Sequence, residues 1–442
     1  MKKFLVVLLS LGLIIAFGAT ASAADVKFGG SYYLVGVYDD NAMLQGSNVG
    51  YSRAYFYQRT RLQPVFTIAE GLTFTARMDA LEKQWGNTNW KSVTAVNTDT
   101  TNSRRNPGGT QKIQENFEFE RGYVTFKTAI GQFDVGYMSA GAWGTLFGDA
   151  EDTKPRIKYM TQAGSALLLA IYEKRFEADT SAIPGYAGKA DADYDCYYLA
   201  GIYNFKGGNA GLLYGYLAGN TNRVAAVPLR TKLHILYPYL KATFGPVYVE
   251  AEINYMFGTL LEFDNVAGAT DLKKNGWSAY ALLKTNLGPA YFGAQVGWSA
   301  GDDNATDDTD NSGAGGGADW NPALILMNDD MATWAGGVGT NVANSGKANI
   351  LIYNVFGGFN PTPKLNIELA MTSAQKDKSL ANEVSKNLGI ELDVKASYKI
   401  YDNLTYMVGM GYLWSGDYFK GTNSANVIGN DYILMNKLSL SF

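Results

Sequence analysis

The chain has 442 residues, with 37 Lys and Arg against 41 Asp and Glu, so its formal net charge is −4. This mild acidity gives no reason to expect nucleic acid as a partner. The chain is rich in aromatic residues and glycine, with 30 Tyr, 21 Phe, 8 Trp and 50 Gly. Its single cysteine, Cys196, excludes an internal disulfide and is expected to be a small apolar side chain in a strand.

The first 23 residues have the organisation of a secretory signal peptide. Lys2 and Lys3 precede the apolar run FLVVLLSLGLIIAF (4–17), and ASA (21–23) provides a cleavage site before Ala24. We therefore predict that residues 1–23 are removed and that residues 24–442 form the mature protein, with a retained N-terminal anchor as the alternative. The rest of the sequence has no apolar run of 18 residues, so it predicts no membrane-spanning helix.

The remaining chain alternates between apolar and polar residues with a period of two. The stretch GIELDVKASYKIY (389–401), for example, places Ile390, Leu392 and Val394 on one face and Glu391 and Asp393 on the other. This period predicts strands rather than helices. We count 18 strands, with 16 as the alternative, and they begin near residues 26, 51, 71, 114, 130, 155, 165, 193, 209, 230, 247, 273, 289, 348, 364, 387, 404 and 430.

The connections between these strands are alternately short and long. Short turns such as AEG (69–71) and YDN (401–403) alternate with long polar connections. The long connections are 39–50, 85–112, 139–155, 178–192, 219–229, 258–272, 301–347 and 416–428. This order is typical of an all-β, transmembrane, antiparallel β-barrel with tight periplasmic turns and long extracellular loops.

The apolar faces of the predicted strands are long enough to cover the apolar core of a bilayer. Aromatic residues next to the short turns predict an interfacial girdle formed by Phe126, Phe133, Phe205, Phe244, Tyr291 or Phe292, Phe359 and Phe442. The last residues, LMNKLSLSF (434–442), still alternate. We therefore expect Phe442 to end the last strand beside the first one. A soluble β-solenoid or double-sheet domain is the alternative, but no repeat of 20–50 residues supports it.

Three predicted hairpins resemble those of the Gram-negative outer-membrane porins. They are RGYVTFKTAIGQFDVGYMSAG (121–141), RIKYMTQAGSALLLAIYEK (156–174) and YYLAGIYNFKGGNAGLLYGYLAG (197–219). The terminal Phe442 is similar to the signal that the barrel-assembly machinery reads in this family. The resemblance implies a location in the outer membrane, contact with its lipid and lipopolysaccharide, a homotrimer and an inward-folded constriction loop at 139–155. The 85–112 loop would then reach a neighbouring subunit.

Two groups of charged residues are candidates for a pore constriction. A basic wall on three adjacent strands consists of Arg53, Arg59, Arg61, Arg77, Arg121 and Lys127. An acidic group in the constriction loop consists of Asp149, Glu151 and Asp152. We expect the basic wall to face the acidic loop across the narrowest point, because charge rings of this kind set ion selectivity. Local pairing of the arginines near the barrel rims is the alternative.

Metal binding and catalysis have little support in the sequence. Asp308, Asp310, Ser312, Gly313 and Asp319 match part of a calcium-loop spacing, although a flexible acidic loop is the simpler interpretation. We expect no cofactor, because no phosphate-binding loop is present. The single histidine, His234, cannot form a multi-histidine metal site, and we expect it to be a polar residue in the lumen or near a loop.

The sequence therefore predicts a passive diffusion channel for small hydrophilic solutes and ions, without enzyme activity. A substrate-specific channel for sugars or anions is the alternative within this class, with Tyr55, Tyr57, Tyr123 and Tyr248 as candidates to line a sugar path. A non-conducting barrel that acts as an adhesin, or as a hydrolase with His234 as general base, is the alternative from another class.

Overall fold

A computed structural model describes residues 25–44, 46, 52–86, 117–177, 192–221, 228–264, 266–302, 308–328, 347–379 and 382–442. The predicted signal peptide and most of the connection at 85–112 lie outside these residues. No helix in the described part of the chain has both the length and the apolar character needed to cross a membrane. Two short 3₁₀ helices are described, Leu146–Gly148 and Asp417–Lys420.

The described residues form 19 strands, which are numbered in chain order. Their bounds are β1 (Asp25–Asp39), β2 (Arg53–Ala69), β3 (Leu72–Gln84), β4 (Phe117–Thr128), β5 (Gly131–Ala140), β6 (Asp152–Ala163), β7 (Ala166–Phe176), β8 (Tyr194–Phe205), β9 (Gly208–Gly219), β10 (Leu229–Phe244), β11 (Val247–Phe263), β12 (Leu272–Leu287), β13 (Ala290–Ser299), β14 (Thr309–Asp310), β15 (Ile350–Thr362), β16 (Leu365–Gln375), β17 (Asn387–Tyr401), β18 (Leu404–Ser415) and β19 (Asp431–Ser441).

Eighteen of these strands form a closed ring. Each pairs in antiparallel fashion with the next long strand along the chain, and β13 pairs with β15. The ring closes between β1 and β19, from the pair Ser31–Ser441 to the pair Asp39–Ile433. The two-residue strand β14 is outside the ring and pairs in parallel with β12 beyond the end of β13. The structure is therefore a closed, 18-stranded, antiparallel barrel, and the alternative of 16 strands is wrong.

The sequence pattern located the strands well. Each of the 18 predicted starts lies within three residues of an observed start. One long connection, at 376–386 between β16 and β17, was not predicted. The predicted constriction loop, 139–155, is shorter in the structure because β5 extends to Ala140 and β6 begins at Asp152. The remaining residues, 141–151, are called loop L3 below.

The outer surface of the barrel is apolar. On β17, the exposed fractions of Ile390, Leu392 and Val394 are 44%, 37% and 45%, whereas Glu391 and Asp393 on the opposite face are buried. Large exposed apolar side chains also occur in most of the other ring strands. A surface of this kind is stable only in contact with lipid, and closure of the ring satisfies the backbone hydrogen bonds that lipid cannot satisfy.

Aromatic side chains lie near the short turns, as the sequence predicts. Phe244, Phe292, Phe359 and Phe442 are about half exposed, and Tyr291 is buried on the inner face, so Phe292 is the girdle residue of that strand. Phe442 exchanges backbone hydrogen bonds with Gly30 on β1, at 2.8 and 3.1 Å. The last residue is therefore held in the sheet. Rings at this level match the headgroup region of a bilayer.

A new charge should destabilise the barrel much more on the outer face of a strand than on its inner face. We expect Val394→Arg to lower the free energy of unfolding by about 2–4 kcal/mol, because it places a cation in the lipid. Ser397→Arg, on the inner face of the same strand, is the matched control and should cost much less. Guanidinium unfolding of the protein in lipid vesicles measures both. Equal losses would contradict the assignment of the two faces.

Candidate pore constriction

Loop L3 crosses the inside of the barrel from β5 and β6 to the opposite wall. The indole nitrogen of Trp143 donates a hydrogen bond to the backbone oxygen of Tyr237 on β10, at 2.9 Å. The backbone and side chain of Thr145 both donate to one carboxylate oxygen of Glu252 on β11, at 2.6 and 2.8 Å. Gly144 has a φ of +74°, and a Cβ atom there would lie 2.5 Å from Glu252. Only glycine therefore permits this close approach.

Loop L3 also meets the seventh long loop (residues 300–349, called loop L7) inside the barrel. The ring of Phe147 stacks on Tyr280 of β12, with centroids 5.3 Å apart, and makes an edge contact with Trp320 of loop L7 at 5.1 Å. Two backbone hydrogen bonds join the loops, from Gly317 to Phe147 at 2.6 Å and from Asp319 to Asp149 at 3.1 Å. Among the apolar residues of loop L3, Trp143 and Phe147 make wall contacts, whereas the Leu146 side chain is 56% exposed.

Glu151 of loop L3 binds three arginines of the predicted basic wall. It pairs with Arg61 and Arg121 at 2.8 Å each and with Arg77. Burial raises the pKa of Glu151, but the hydrogen bonds and charges of Arg61 and Arg77 outweigh it and lower the pKa to about 2. The structure therefore brings Glu151 together with three arginines of the basic wall, and this carboxylate lies directly against the wall.

Asp149 points away from the basic wall and towards loop L7. Burial, followed by the negative charge of Asp319, raises the pKa of Asp149 to about 6, although Lys241 partly opposes this rise. One of its carboxylate oxygens is buried and has no hydrogen-bond partner within the described part of the chain. The two loops therefore meet beside a carboxyl group whose ionisation is disfavoured by its surroundings.

The structure places Arg59 at the edge of this centre and separates the other predicted site residues from it. Arg59 contacts Glu82 at 3.5 Å and also lies 4.0 Å from Asp79, which pairs with Arg61. Arg53 pairs with Asp39 at 2.7 Å, which fits the alternative of local pairing near a rim. Two further residues lie at strand ends. Lys127 is exposed beside the short turn after β4, and Asp152 begins β6 and pairs with Lys154 at 2.7 Å.

A second inward segment was not predicted from the sequence. Residues 317–328 of loop L7, called the plug segment, lie against the inner face of β15–β19. Glu391 on β17 accepts hydrogen bonds from the backbone N–H groups of Leu324, Ile325 and Leu326, at 2.9, 2.7 and 2.7 Å. Asp393 accepts a further hydrogen bond from Leu324 at 3.2 Å. These side chains replace the sheet partners that an inward loop lacks.

The plug segment forms a dry core with inward-facing apolar residues of the wall. Ile325 is 1% exposed. Its cluster includes Val35, Val37, Tyr57, Ile350, Ile352, Leu388, Leu413 and Ile433. The predicted sugar path is wrong at Tyr57, which is 1% exposed and packs in this cluster, with Tyr55 packed against it. These two rings are covered and cannot stack on a passing sugar.

The residues of the calcium-loop spacing take part in unrelated contacts. Asp310 pairs with the Lys274 ammonium group at 3.0 Å, and Ser312 accepts a hydrogen bond from the same group at 2.8 Å. Asp319 joins loop L3 through its backbone, and Asp308 accepts a hydrogen bond from Thr309. The described residues contain no group of three acidic, histidine or cysteine side chains suited to a metal ion. The spacing alone therefore does not build a calcium site here.

His234 faces outwards, so its expected place in the lumen is wrong, and it lies five residues from the start of β10. Its neighbours Leu233 and Ile235 pack inside the barrel, and the alternation of β10 therefore directs His234 to the outer surface. There its ring stacks on Phe257 at 5.1 Å, and its Nδ1 atom lies 2.8 Å from the hydroxyl group of Tyr214. This environment is an aromatic surface and not a hydrolase centre.

Comparisons with known proteins support this fold. The chain is similar to the crystal structure of Pseudomonas aeruginosa OpdQ, with a TM-score of 0.51. The two sequences are 11% identical, and the match covers 95% of this chain and 97% of OpdQ. Pseudomonas aeruginosa OccK9 (OpdG) is 13% identical, covers 94% and 99%, and has a TM-score of 0.50. The family model for the OmpA-like transmembrane domain matches residues 288–436, about a third of the chain. No curated protein matches.

The contact between Glu151 and the arginines predicts a change in ion selectivity. We expect Glu151→Gln to leave Arg121 without its carboxylate partner and Arg61 and Arg77 with one carboxylate fewer, and to raise the chloride-to-potassium permeability ratio roughly tenfold at low salt. Reversal potentials in planar bilayers measure this ratio. Asp152→Asn removes the same charge at an exposed strand end and is the matched control. A similar shift in both variants would contradict the proposed role of Glu151.

The pKa of Asp149 predicts a pH-dependent contact between the loops. Because the pKa in the folded protein, about 6, lies above the ordinary value of 3.8, the contact should be strongest below that ordinary value and weaken as the pH rises through about 6. Current noise from an open channel should increase with pH, with a midpoint at about pH 6. Asp149→Asn should remove this midpoint and Asp152→Asn should keep it. A midpoint that survives Asp149→Asn would refute the assignment.

Proposed function

We propose that this protein is a passive diffusion channel of a Gram-negative outer membrane. It admits small hydrophilic solutes and ions, and it needs neither an energy source nor a chemical step. The observation that carries the proposal is the polar, charged interior of a closed barrel whose outer surface is apolar. An 18-stranded ring is wide enough for an aqueous lumen rather than a fully packed core.

The two inward loops give this channel its constriction. Loop L3 occupies the region between the arginines of β2–β4 and the wall at β10–β12, and the plug segment covers the inner face of β15–β19. The lumen is therefore narrowed by fixed contacts on several sides. A narrow polar pore selects solutes by size and by charge. The proposal includes no catalytic group.

The surroundings of the channel follow from the same proposal. The short turns face the periplasm and the long loops face outwards, as in other barrels of this architecture. The signal peptide directs export and is removed, and the barrel-assembly machinery reads the C-terminal segment that ends at Phe442. The outer surface contacts lipid and lipopolysaccharide. Three copies assemble as a homotrimer.

The constriction can be tested through the anchor of the plug segment. Wild-type protein should form stable open pores in planar bilayers. We expect Glu391→Ala to increase the single-channel conductance and admit larger sugars in liposome swelling, because the buried N–H groups of Ile325 and Leu326 lose their acceptor at about 1–3 kcal/mol each. Ser397→Ala, on the inner face of the same strand, is the matched control. Wild-type protein that inserts without conducting would disprove the channel, and unchanged conductance in Glu391→Ala would disprove the role of the plug segment.

A further inference from the structure

The part of the lumen near the short turns carries an excess of lysine. We call this region the inner vestibule. It is lined on the inward face of the strands by Lys27, Lys127, Lys158, Lys241, Lys284, Lys395, Lys399 and Lys437. The carboxylates on the same faces are Asp25, Asp134, Glu250 and Glu368. The formal charge of these groups is therefore positive.

The assignment of these lysines to the inner face rests on contacts of their neighbours. Tyr239 on β10 contacts Trp143 of loop L3, and Lys241 follows it by two residues on the same face. Tyr280 on β12 contacts Phe147 of loop L3, and Lys284 follows Tyr280 by four residues on the same face. Lys437 is paired in register with Val35, which belongs to the core around the plug segment. Alternation along each strand then directs all three ammonium groups into the lumen.

Most of these lysines lack an acidic partner. Lys158 pairs with Asp134 at 2.8 Å, and Lys395 pairs with Glu368 at 2.7 Å. For the other six, no carboxylate oxygen of the described residues lies within 4.0 Å of the ammonium nitrogen, the distance limit for an ion pair. In contrast, each arginine of the constriction is paired with at least one carboxylate. The lysines of the inner vestibule are therefore paired less closely with carboxylates than the arginines of the constriction, although Lys241 still acts on Asp149 and Lys284 on Glu368 at longer range.

Three of the unpaired lysines are held by tyrosine rings. The ammonium groups of Lys284, Lys437 and Lys241 lie 4.4, 5.2 and 5.7 Å from the ring centroids of Tyr291, Tyr33 and Tyr239, respectively. A cation above a ring keeps its hydrogen-bond donors available to an incoming anion. Of the three strands concerned, β10 and β12 are separated by β11 alone, and β19 lies on another part of the ring. Together with the lysines on β1, β4, β6 and β17, these charges are distributed around the vestibule.

We propose that the inner vestibule binds small multivalent oxyanions that enter from the short-turn side. This inference depends on the proposed function as a channel and adds the class of solute that it concentrates. Lysine is suited to this role because its compact charge and flexible stem bind phosphate-like groups without a fixed geometry. Charge that lines a confined aqueous space raises the local concentration of counter-ions. Chloride is attracted as well, but a multivalent anion gains more from the same lysines.

The test uses inorganic tripolyphosphate as the probe and single channels of known orientation in potassium chloride. We expect tripolyphosphate to block the wild-type current from the short-turn side at roughly a tenth of the concentration needed from the long-loop side. The variant Lys241→Gln/Lys284→Gln/Lys437→Gln should lose this difference. The matched control is Lys174→Gln/Lys232→Gln/Lys273→Gln, which removes three lysines from the outer surface and should keep the difference.

A second measurement keeps the inference testable if the triple variant inserts poorly. Calorimetric titration of tripolyphosphate into the detergent-solubilised barrel should show binding that weakens with salt, and Lys437→Gln alone should reduce the affinity. Equal block from both sides, or block unaffected by the inner variant, would refute the vestibule while the channel stands. Wild-type protein without conductance in potassium chloride would instead refute the channel. In that case calorimetry alone decides on the vestibule, and absence of tripolyphosphate binding would refute it.

Discussion

Closure of the ring is the constraint on which the rest of the structure depends. Lipid offers no partners to backbone groups, so the strands must satisfy one another, and the seam between β1 and β19 completes this pairing. A loop that enters the lumen then finds no free sheet edge, apart from the end of β12 that β14 occupies. Its backbone must be held by side chains of the wall. Glu252 and Glu391 serve this purpose, and each accepts at least two hydrogen bonds from one inward loop.

The charges of the lumen are arranged in two levels with different chemistry. At the constriction, guanidinium groups form close pairs with carboxylates, and the planar fork of arginine suits such multiple contacts. Because these charges compensate one another locally, they fix loop L3 more than they create a field across the pore. Below the constriction, most lysines have no carboxylate within ion-pair distance among the described residues. In the proposed channel, the arginines thus shape the pore, and the lysines act on the ions within it.

The barrel was predictable from the sequence, whereas the plug segment was not. Alternation is a local signal, so residues such as Ile390 and Glu391 reveal the two faces of a strand without knowledge of its neighbours. The plug segment depends on contacts between distant parts of the chain. Its apolar run, PALILM (322–327), is visible within a polar loop. Its partners Ile352 and Leu413 occupy inward positions, where alternation leads one to expect polar residues. Likewise, the sequence identified Glu151 and the arginines but not their direct contact.

The dry contact of the plug segment also determines which part of the constriction is fixed. Ile325, Leu326 and Met327 are at most 5% exposed. Burial of each such side chain is worth about 1.5–3 kcal/mol, so release of the segment into water would cost several times the thermal energy. The plug is therefore part of the fold and not a freely opening gate. The junction of Asp149 with loop L7 is held by two backbone hydrogen bonds and one aromatic contact, and it is weakened by ionisation. Changes in pore width should consequently begin at this junction, while the plug stays in place.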